Sequence, residues 1–279
     1  MRIILAQIFR FLFQFSFFRK RYFGIHQRII FPKKLFRGVK RKYLFDDSLN
    51  FELHIEDWIQ QNLYFLGEYE NTELTFVKNH LKKGDYVIDI GANIGLYALF
   101  CSKYVGQEGK VYAFEALPKN FNLFQKNVAL NSVKNVQLEN LAIFNTQGTL
   151  EIFTNTEEAN QGMASSYMKD FSEKISIPAL TLDAYVEEHK IEKIDFIKMD
   201  IEGGEFPALQ GMRNTLQKFK PTLLLEVDAE ILKNTPFTEE EILNFLAKLN
   251  YSKYFLTEKG ELSEKDTFRN SKNYIFKSN

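Results

Sequence analysis

From about residue 80 onwards, short apolar runs alternate regularly with longer segments in which apolar and polar residues are mixed. The apolar runs "DYVIDI" (85–90), "KVYAFEA" (110–116) and "NVQLENLAI" (135–143) predict three buried strands. Segments 96–105 and 118–131 lie between them with the composition of helices, and the second has Pro118 in its first turn. Such alternation is typical of right-handed crossovers that build a parallel sheet with helices on both faces.

The second half of the chain first departs from this order and then returns to it. "GTLEIFTN" (148–155) alternates like an exposed strand, and residues 160–170 predict an insertion or loop over the sheet edge. The pattern then predicts a helix at 181–190, a strand at 194–200, a helix at 205–219, a strand at 221–228 and a helix at 238–250. No helical segment separates the last two strands, 251–257 and 273–278, so we expect them to pair antiparallel. The predicted fold is α/β, with a doubly wound, mostly parallel sheet and an antiparallel C-terminal strand.

The N-terminal part of the chain has a different pattern. Residues 3–18 are almost continuously apolar and rich in Phe, and residues 1–42 contain twelve Lys or Arg but no Asp or Glu. The whole chain balances 36 bases against 36 acids, so the remainder carries an excess of twelve acids. We therefore predict a basic aromatic extension at 1–42, a helical lead-in at 43–80 and the α/β domain at 81–279.

The extension has several interpretations. Its apolar run is shorter than the roughly 20 residues that span a membrane, and Arg10 lies in its middle. It ends in "RKR" rather than in small residues, unlike a cleaved signal peptide. Aromatic residues followed by cations favour peripheral contact with an anionic membrane surface, whereas packing on its own domain or on a second subunit remains the alternative. Nucleic-acid binding is not expected, because no ordered interleaving of basic and aromatic residues on a sheet is predicted.

Cysteine content adds one constraint. A single cysteine, Cys101, excludes an intramolecular disulfide and a zinc site made of thiolates. We therefore expect a cytoplasmic protein, with membrane association through the extension as the open question.

The stretch "VIDIGANIG" (87–95) contains the first candidate site. It follows the first predicted strand and precedes a helix, where glycines let a ligand approach backbone N–H groups. A dinucleotide fingerprint would need glycines at 91, 93 and 96, but the chain has Gly91, Asn93 and Leu96, with the next glycine at Gly95. Asp89 would repel a pyrophosphate and suits a ligand that carries an ammonium group, such as S-adenosylmethionine (SAM).

Glu115 ends the second predicted strand. A carboxylate there can accept two hydrogen bonds from a ribose diol, whether the nucleotide is SAM or NAD. Glu115 therefore supports a nucleoside ligand without choosing between the two cofactors.

These motifs resemble the FkbM-type SAM-dependent methyltransferases. The matching stretches are "YFLGEYE" (64–70), "VIDIGANIG" (87–95), "FEALP" (114–118), "NLAI" (140–143), "IDFIKMDIEGGEFPALQGM" (194–212) and "KPTLLLEV" (220–227). The resemblance implies a class I methyltransferase fold of the Rossmann-like type, SAM as methyl donor and a hydroxyl acceptor. One departure is Ala116, where the family often has proline after the glutamate, so the geometry of that turn is an open point.

The resemblance also implies which residues contact the cofactor. It assigns this role to Asp89, Gly91, Asn93, Gly95 and Glu115. Asn140 and Ala142 are expected near the adenine.

The stretch "IKMDIE" holds the candidate catalytic residues. Lys198, Asp200 and Glu202 alternate, so in an extended chain they face one side at the carboxyl end of a central strand. Asp200 is the predicted base for the acceptor hydroxyl, and Glu202 and Glu226 are expected to assist. In the competing interpretation Lys198 merely neutralises Asp200, while Glu202 and Glu205 favour the start of the next helix. A divalent cation shared by the acids is conceivable, but no His accompanies them, so no metal is assigned.

The expected function is therefore SAM-dependent O-methylation of a sugar, a glycan or a related small metabolite. Glycan modification would agree with an extension that contacts a membrane. Two alternatives remain, an NAD-dependent oxidoreductase and a non-catalytic, membrane-associated scaffold with a nucleotide pocket. Asn93, Leu96 and Asp89 disfavour the first, and the acids retained in both motifs disfavour the second.

Overall fold

The computed structural model describes residues 1–155, 164–167, 171–266 and 272–279. The insertion predicted at 160–170 lies largely outside these ranges. The chain divides into two compact units. The first comprises Met1–Asn71, and the second begins at Thr72 and contains the described residues from there to Asn279.

The first unit combines short helices with a β-hairpin. Its elements are α1 (Arg2–Leu12), α2 (Ser16–Arg19), α3 (Tyr22–Ile25), a π-helical turn (His26–Ile30), β1 (Lys40–Phe45), β2 (Leu49–His54) and α4 (Trp58–Leu66). The hairpin corrects the first part of the helical lead-in predicted over 43–80, whereas helices Trp58–Leu66 and Asn71–His80 lie in its remainder. In β2, buried positions alternate with more exposed ones, which is the period of two of a half-buried strand and not a helical period.

Aromatic side chains form the core of the first unit. Phe13, Tyr22 and Phe36 are almost fully buried. The Phe65 ring lies 5.6 Å from the Phe13 ring and 5.1 Å from the Phe36 ring, measured between centroids, within the range of favourable aromatic pairs. None of the helices in the described part of the chain is long and apolar enough to cross a membrane.

The second unit contains the remaining elements. In chain order they are α5 (Asn71–His80), β3 (Tyr86–Ile90), α6 (Leu96–Val105), β4 (Lys110–Phe114), α7 (Pro118–Asn131), β5 (Val136–Glu139), β6 (Ala142–Ile143), β7 (Gly148–Thr154), β8 (Ala164–Ser165), β9 (Glu173–Leu180), α8 (Leu182–Glu188), β10 (Phe196–Met199), α9 (Glu205–Gln210), α10 (Arg213–Phe219), β11 (Thr222–Glu226), α11 (Ala229–Leu232), α12 (Glu239–Lys248), β12 (Tyr251–Leu256), β13 (Leu262–Ser263) and β14 (Asn273–Ser278).

The main sheet confirms the predicted fold class. Its strand order is β13-β12-β14-β11-β10-β3-β4-β5. Strands β11, β10, β3, β4 and β5 are parallel, and β14 runs antiparallel to β11 and β12, as expected for the last two long strands. The chain leaves β3 towards β4 and β5 on one side, whereas β10 and β11 lie on the other. The switch point of the sheet is therefore between β3 and β10.

Two predicted elements are interrupted. The strand expected at 135–143 splits into β5 and β6, which belong to different sheets, and Asn140 lies between them. The helix expected at 205–219 splits into α9 and α10 at Gly211. A Cβ atom at Gly211 would lie 2.0 Å from the carbonyl oxygen of Phe144, so the backbone passes close to its neighbour there.

A second sheet of four strands was not predicted as such. Its order is β6-β9-β7-β8, with β7 and β9 antiparallel along most of their length. Strand β9 was missed because its sequence, "EKISIPAL", contains Pro178, which weakens a strand pattern.

Candidate active site

The predicted acids lie at the ends of neighbouring parallel strands. Asp89 is the penultimate residue of β3, Glu115 follows β4, Asp200 follows β10 and Glu226 ends β11. Because β11, β10, β3 and β4 are adjacent and parallel, their carboxyl ends meet at one edge of the sheet. Ligands of open α/β sheets bind at this edge, at the switch point.

The glycine loop after β3 is fixed by steric contact. Gly91 and Gly95 have φ angles of 80° and 89°, in the left-handed region. A Cβ atom at Gly91 would lie 1.9 Å from the carbonyl oxygen of Asp200, and one at Gly95 would lie 2.1 Å from the Phe124 ring. Glycine is therefore required at both positions, for backbone conformation and for close approach.

Asn93 also adopts a left-handed conformation, with φ of 51°. Asn is one of the few residues other than glycine that tolerates it. The backbone N–H of Asn93 donates to Glu115 Oε2 at 2.7 Å. The side-chain Oδ1 is buried and accepts no hydrogen bond from the described residues.

Asp89 is fully buried, and neither carboxylate oxygen completes a hydrogen bond with the described part of the chain. Burial raises the pKa of Asp89 to about 6, and the neighbouring Lys198 ammonium offsets part of this effect. An unpaired buried carboxylate is costly, so it marks a place where a ligand donor is expected.

Glu115 is held differently. Its Oε1 accepts the N–H of Leu117 at 2.8 Å, and its Oε2 accepts that of Asn93. Burial raises its pKa to about 7, while the hydrogen bonds from Leu117 and Asn93 lower it. The Asn120 side chain also hydrogen-bonds to this carboxylate, so about one of its four acceptor sites is left for a ribose hydroxyl. The turn after β4 forms without proline at position 116, and α7 begins at Pro118.

Lys198 connects the glycine loop to the second motif. Its Nζ donates to the carbonyl oxygen of Gly91 and to Asp200 Oδ2, both at 3.4 Å, and lies 5.0 Å from the centroid of the Tyr97 ring. The side chain is 8% exposed. Lys198 therefore contacts Asp200, as the competing interpretation expects. The same ammonium group also links the glycine loop to the second motif.

Asp200, Glu202 and Glu226 form an acidic cluster. One carboxylate oxygen from each lies within 4.8 Å of the others, a spacing at which a hard divalent cation could also bind. Simple alternation does not bring Glu202 there, because the strand ends at Met199 and Glu202 has φ of 54°. A left-handed turn returns its side chain to the cluster.

The cluster is electrostatically strained. Burial raises the pKa of Glu226, and contact with Asp200 raises it further. Burial also raises the pKa of Glu202, together with the charges of Asp200 and Glu205. Both glutamates therefore hold protons more tightly than ordinary glutamates, and they can donate hydrogen bonds within the cluster.

Two residues hold this loop in a way that the sequence did not predict, and Glu205 was expected only to favour the start of the next helix. Glu205 is buried, and its carboxylate accepts the N–H groups of Ile201 at 3.0 Å and Gly203 at 2.9 Å. Ser165 Oγ donates to the carbonyl oxygen of Glu202 at 2.6 Å. The two glycines before Glu205 were the available signal for a backbone turn capped by its side chain. Ser165 lies in the loop predicted at 160–170, and the sequence did not indicate its contact with Glu202.

Asn140 and Ala142 lie in different environments. The Asn140 amide donates to the carbonyl oxygens of Glu115 at 2.8 Å and Ala116 at 3.0 Å, so it supports the backbone around the glutamate. Ala142 packs in a small apolar cluster with Leu117. Their contact with adenine stays a prediction.

These acceptor groups fit SAM. The side-chain oxygens of Asp89 and Asn93, which complete no hydrogen bond with the described residues, suit the ammonium group of the amino acid part, and the remaining acceptor site of Glu115 suits a ribose hydroxyl.

The strand order, the glycine loop at the switch point and the acids beside it define the class I methyltransferase fold. A family model described as "Methyltransferase FkbM domain" matches residues 89–253. The chain belongs to this family, as its motifs predicted.

Similar proteins include "Methyltransferase sdnD" of Sordaria araneosa, 26% identical over 162 residues that cover 48% of this chain and 62% of the relative. "Hexuronic acid methyltransferase AglP" of Haloferax volcanii is 24% identical over 162 residues, covering 58% of this chain and 64% of the relative. The alignments thus span about six-tenths of these relatives' lengths. Among solved structures, a methyltransferase FkbM from Methylobacillus flagellatus KT has a TM-score of 0.49 at 16% identity, covering 77% of this chain and 52% of that chain.

We predict that Gly91→Ala destabilises the protein through its contact with the Asp200 carbonyl. The matched control is Gly84→Ala, where φ is also positive, at 85°, but no other atom lies within 4 Å of the added Cβ. The free energy of unfolding of the control should fall only by the cost of placing alanine in a left-handed conformation, about 1–2 kcal/mol. Gly91→Ala should lose at least about 1–3 kcal/mol more from overpacking, measured as the free energy of unfolding in urea. Equal losses would contradict the close approach.

We predict that Asp89→Asn removes a pH-dependent cost of folding. Because the pKa of Asp89 is raised from 3.8 to about 6, the folded state binds the proton more tightly than the unfolded state. The free energy of unfolding of the parent therefore falls as pH rises from about 4 to 6 and stays low above this range. Relative to the parent, the Asn variant should gain up to about 3 kcal/mol between pH 4 and pH 8.

Asp47→Asn is the control for this comparison, because Asp47 is exposed in a turn. Denaturant titrations of all three proteins across the pH range give the measurement. A difference between Asp89→Asn and the parent that is independent of pH would refute a buried, unpaired carboxylate at position 89.

Proposed function

We propose that this chain is a SAM-dependent methyltransferase that methylates a hydroxyl group of a sugar, a glycan or a related metabolite. The observation that carries the proposal is the fully buried Asp89, whose carboxylate has no hydrogen-bond partner in the described chain, beside the acidic cluster of Asp200, Glu202 and Glu226. The buried Asp89 carboxylate needs a cationic donor, and the acidic cluster offers a carboxylate that can accept the proton of a hydroxyl group. Both lie at the carboxyl edge of the sheet.

When bound, SAM supplies an electrophilic methyl group on a sulfonium sulfur. The residues of this chain would hold an acceptor hydroxyl and take up its proton, as the C–O bond forms and the C–S bond of the sulfonium breaks to leave S-adenosylhomocysteine. Asp200 is the proposed base, because it contacts the Lys198 ammonium and lies beside two glutamates whose pKa values are raised, so that it is the acid of the cluster that most readily stays ionised. Glu202 and Glu226 orient the acceptor by donating hydrogen bonds, and Lys198 offsets the negative charge.

The acceptor class rests on two supports. Several carboxylic groups close together suit the many hydroxyls of a sugar, which donate and accept hydrogen bonds at fixed spacing. The relative from Haloferax volcanii bears the name of a hexuronic acid methyltransferase. A panel of hexuronic acids, neutral sugars and other alcohols with labelled SAM tests this class, and parallel reactions with EDTA and with added Mg²⁺ test whether a cation takes part.

We predict that the protein binds SAM and S-adenosylhomocysteine but not NAD. A buried carboxylate at Asp89 opposes a pyrophosphate and favours an ammonium group. Calorimetric titration with each ligand gives the measurement. Binding of NAD but not of SAM or S-adenosylhomocysteine would favour an oxidoreductase over a methyltransferase. If none of the three ligands bound, a non-catalytic scaffold would be favoured.

The same titration tests Glu115. Glu115→Gln removes a charged acceptor of the ribose hydroxyls and should weaken SAM binding about 10- to 100-fold. Glu108→Gln is the matched control, because Glu108 is an exposed acid just before the other end of β4. Similar affinities of the two variants would remove Glu115 from the site.

We predict that Asp200→Asn retains SAM affinity within about twofold and lowers turnover at least about 100-fold with the acceptor found in the panel. The amide keeps the size of the side chain but takes up no proton. Asp195→Asn is the control, because Asp195 immediately precedes the amino end of the same strand, where it accepts the N–H of Tyr86 at 2.8 Å. Near-normal turnover of Asp200→Asn would exclude Asp200 as the base.

A further inference from the structure

The first unit exposes a stripe of large apolar side chains. We call Ile4, Ile8, Phe11 and Phe15 the apolar stripe, and each is between 49% and 61% exposed. Their spacing of four, three and four residues places them on one face along α1 and the turn that follows it. The Phe11 and Phe15 rings contact each other with centroids 5.3 Å apart. Exposed apolar groups on this scale mark an interaction surface.

The opposite face of α1 is already used. Ala6 and Phe13 are buried, and the Phe9 ring lies 5.6 Å from the Phe36 ring of the same unit. Helix α1 is therefore apolar on two faces, of which one packs in the core of the first unit. The apolar stripe is left over after this packing is complete, so folding of the unit does not account for it.

Further exposed apolar residues follow the stripe. Phe17 and Phe23 are each 60% exposed, and Ile29 and Phe31 are also exposed. These residues belong to the short helical turns after α1, in the same basic segment. The exposed apolar surface thus extends over about the first thirty residues.

Positive charge accompanies this surface. Nine of the twelve cations in residues 1–42 have exposed side chains, and the segment contains no acid. The Arg21 guanidinium lies 3.8 Å above the Phe17 ring, so a cation and an exposed aromatic group are presented together. A partner that fits must be apolar inside and anionic outside.

We propose that residues 1–42 dock the protein on an anionic lipid surface, with α1 lying in the plane of the membrane and the apolar stripe inserted among the lipid chains. Helix α1 has 11 residues, about half of what a membrane span needs. In-plane helices combine apolar insertion with cations at the headgroups. The same surface of a second copy is a poor partner, because it carries the same positive excess.

Flotation of the full chain with lipid vesicles tests the proposal without SAM or an acceptor, so the result is independent of the methyltransferase activity. We expect binding to vesicles of phosphatidylcholine with phosphatidylserine, weaker binding at high salt, and little binding to phosphatidylcholine alone. The triple variant Ile4→Gln, Ile8→Gln, Phe11→Gln should lower the partition coefficient at least about tenfold.

The matched control is Leu44→Gln with Leu130→Gln, which removes exposed apolar side chains, 55% and 41% accessible, outside the segment. It should bind vesicles like the parent. Circular dichroism and the urea midpoint of each variant establish that it is folded. Equal flotation of the triple variant and the parent overturns the proposal, as does a parent that binds no vesicles. A parent that is dimeric by light scattering and a triple variant that is monomeric, without flotation, would assign the stripe to a second copy instead.

Discussion

Pairing of β3 with β10 is the interaction on which the site depends. The two strands are parallel and adjacent, with Lys198 opposite Asp89, although they are about a hundred residues apart in the chain. The N–H of Asp200 donates to the carbonyl oxygen of Ile90 at 3.1 Å. Gly91 can then continue past Asp200 only because it has no side chain. This one register brings the glycine loop and the acidic cluster to the same edge, and a slip of one residue would turn Asp89 and Lys198 to opposite faces.

The buried acids divide into two groups by what holds them. Glu115 and Glu205 each accept two backbone N–H groups, so their burial is compensated within the chain, and they fix the turns after β4 and β10. Asp89 completes no such pair of hydrogen bonds in the described chain, and the Lys198 ammonium and the Ala98 N–H offset only part of the cost of its burial. A protein that only needed stability would place an apolar residue there. The partly compensated charge is therefore best understood as a cost that ligand binding offsets, the usual pattern of a site that is strained before its ligand arrives.

Much of the sheet could be predicted from the sequence because its signals are local. The bounds expected for α6 and α7, 96–105 and 118–131, are those of the structure, since apolar periodicity and Pro118 act within the segment. The interruptions at Asn140 and Gly211 depend on long-range contacts, with Glu115 and Phe144, that no local pattern contains. The same holds for the site. Its acids stand out in the sequence, whereas the return of Glu202 through a left-handed turn, with Ser165 on its carbonyl oxygen, requires the folded chain.

The N-terminal segment shows why a helix with a wide apolar surface leaves two interpretations open. Gln7, Arg10 and Gln14 form only a narrow polar stripe, so the sequence pattern does not choose between packing on its own domain and contact with a membrane. In the folded unit, Ala6 and Phe13 are buried while Ile4, Ile8 and Phe11 remain in solvent. The two interpretations therefore apply to different faces of one helix. Internal packing holds α1 in place, and a helix that is already ordered loses less conformational entropy when its second face meets a lipid surface than a disordered tail would.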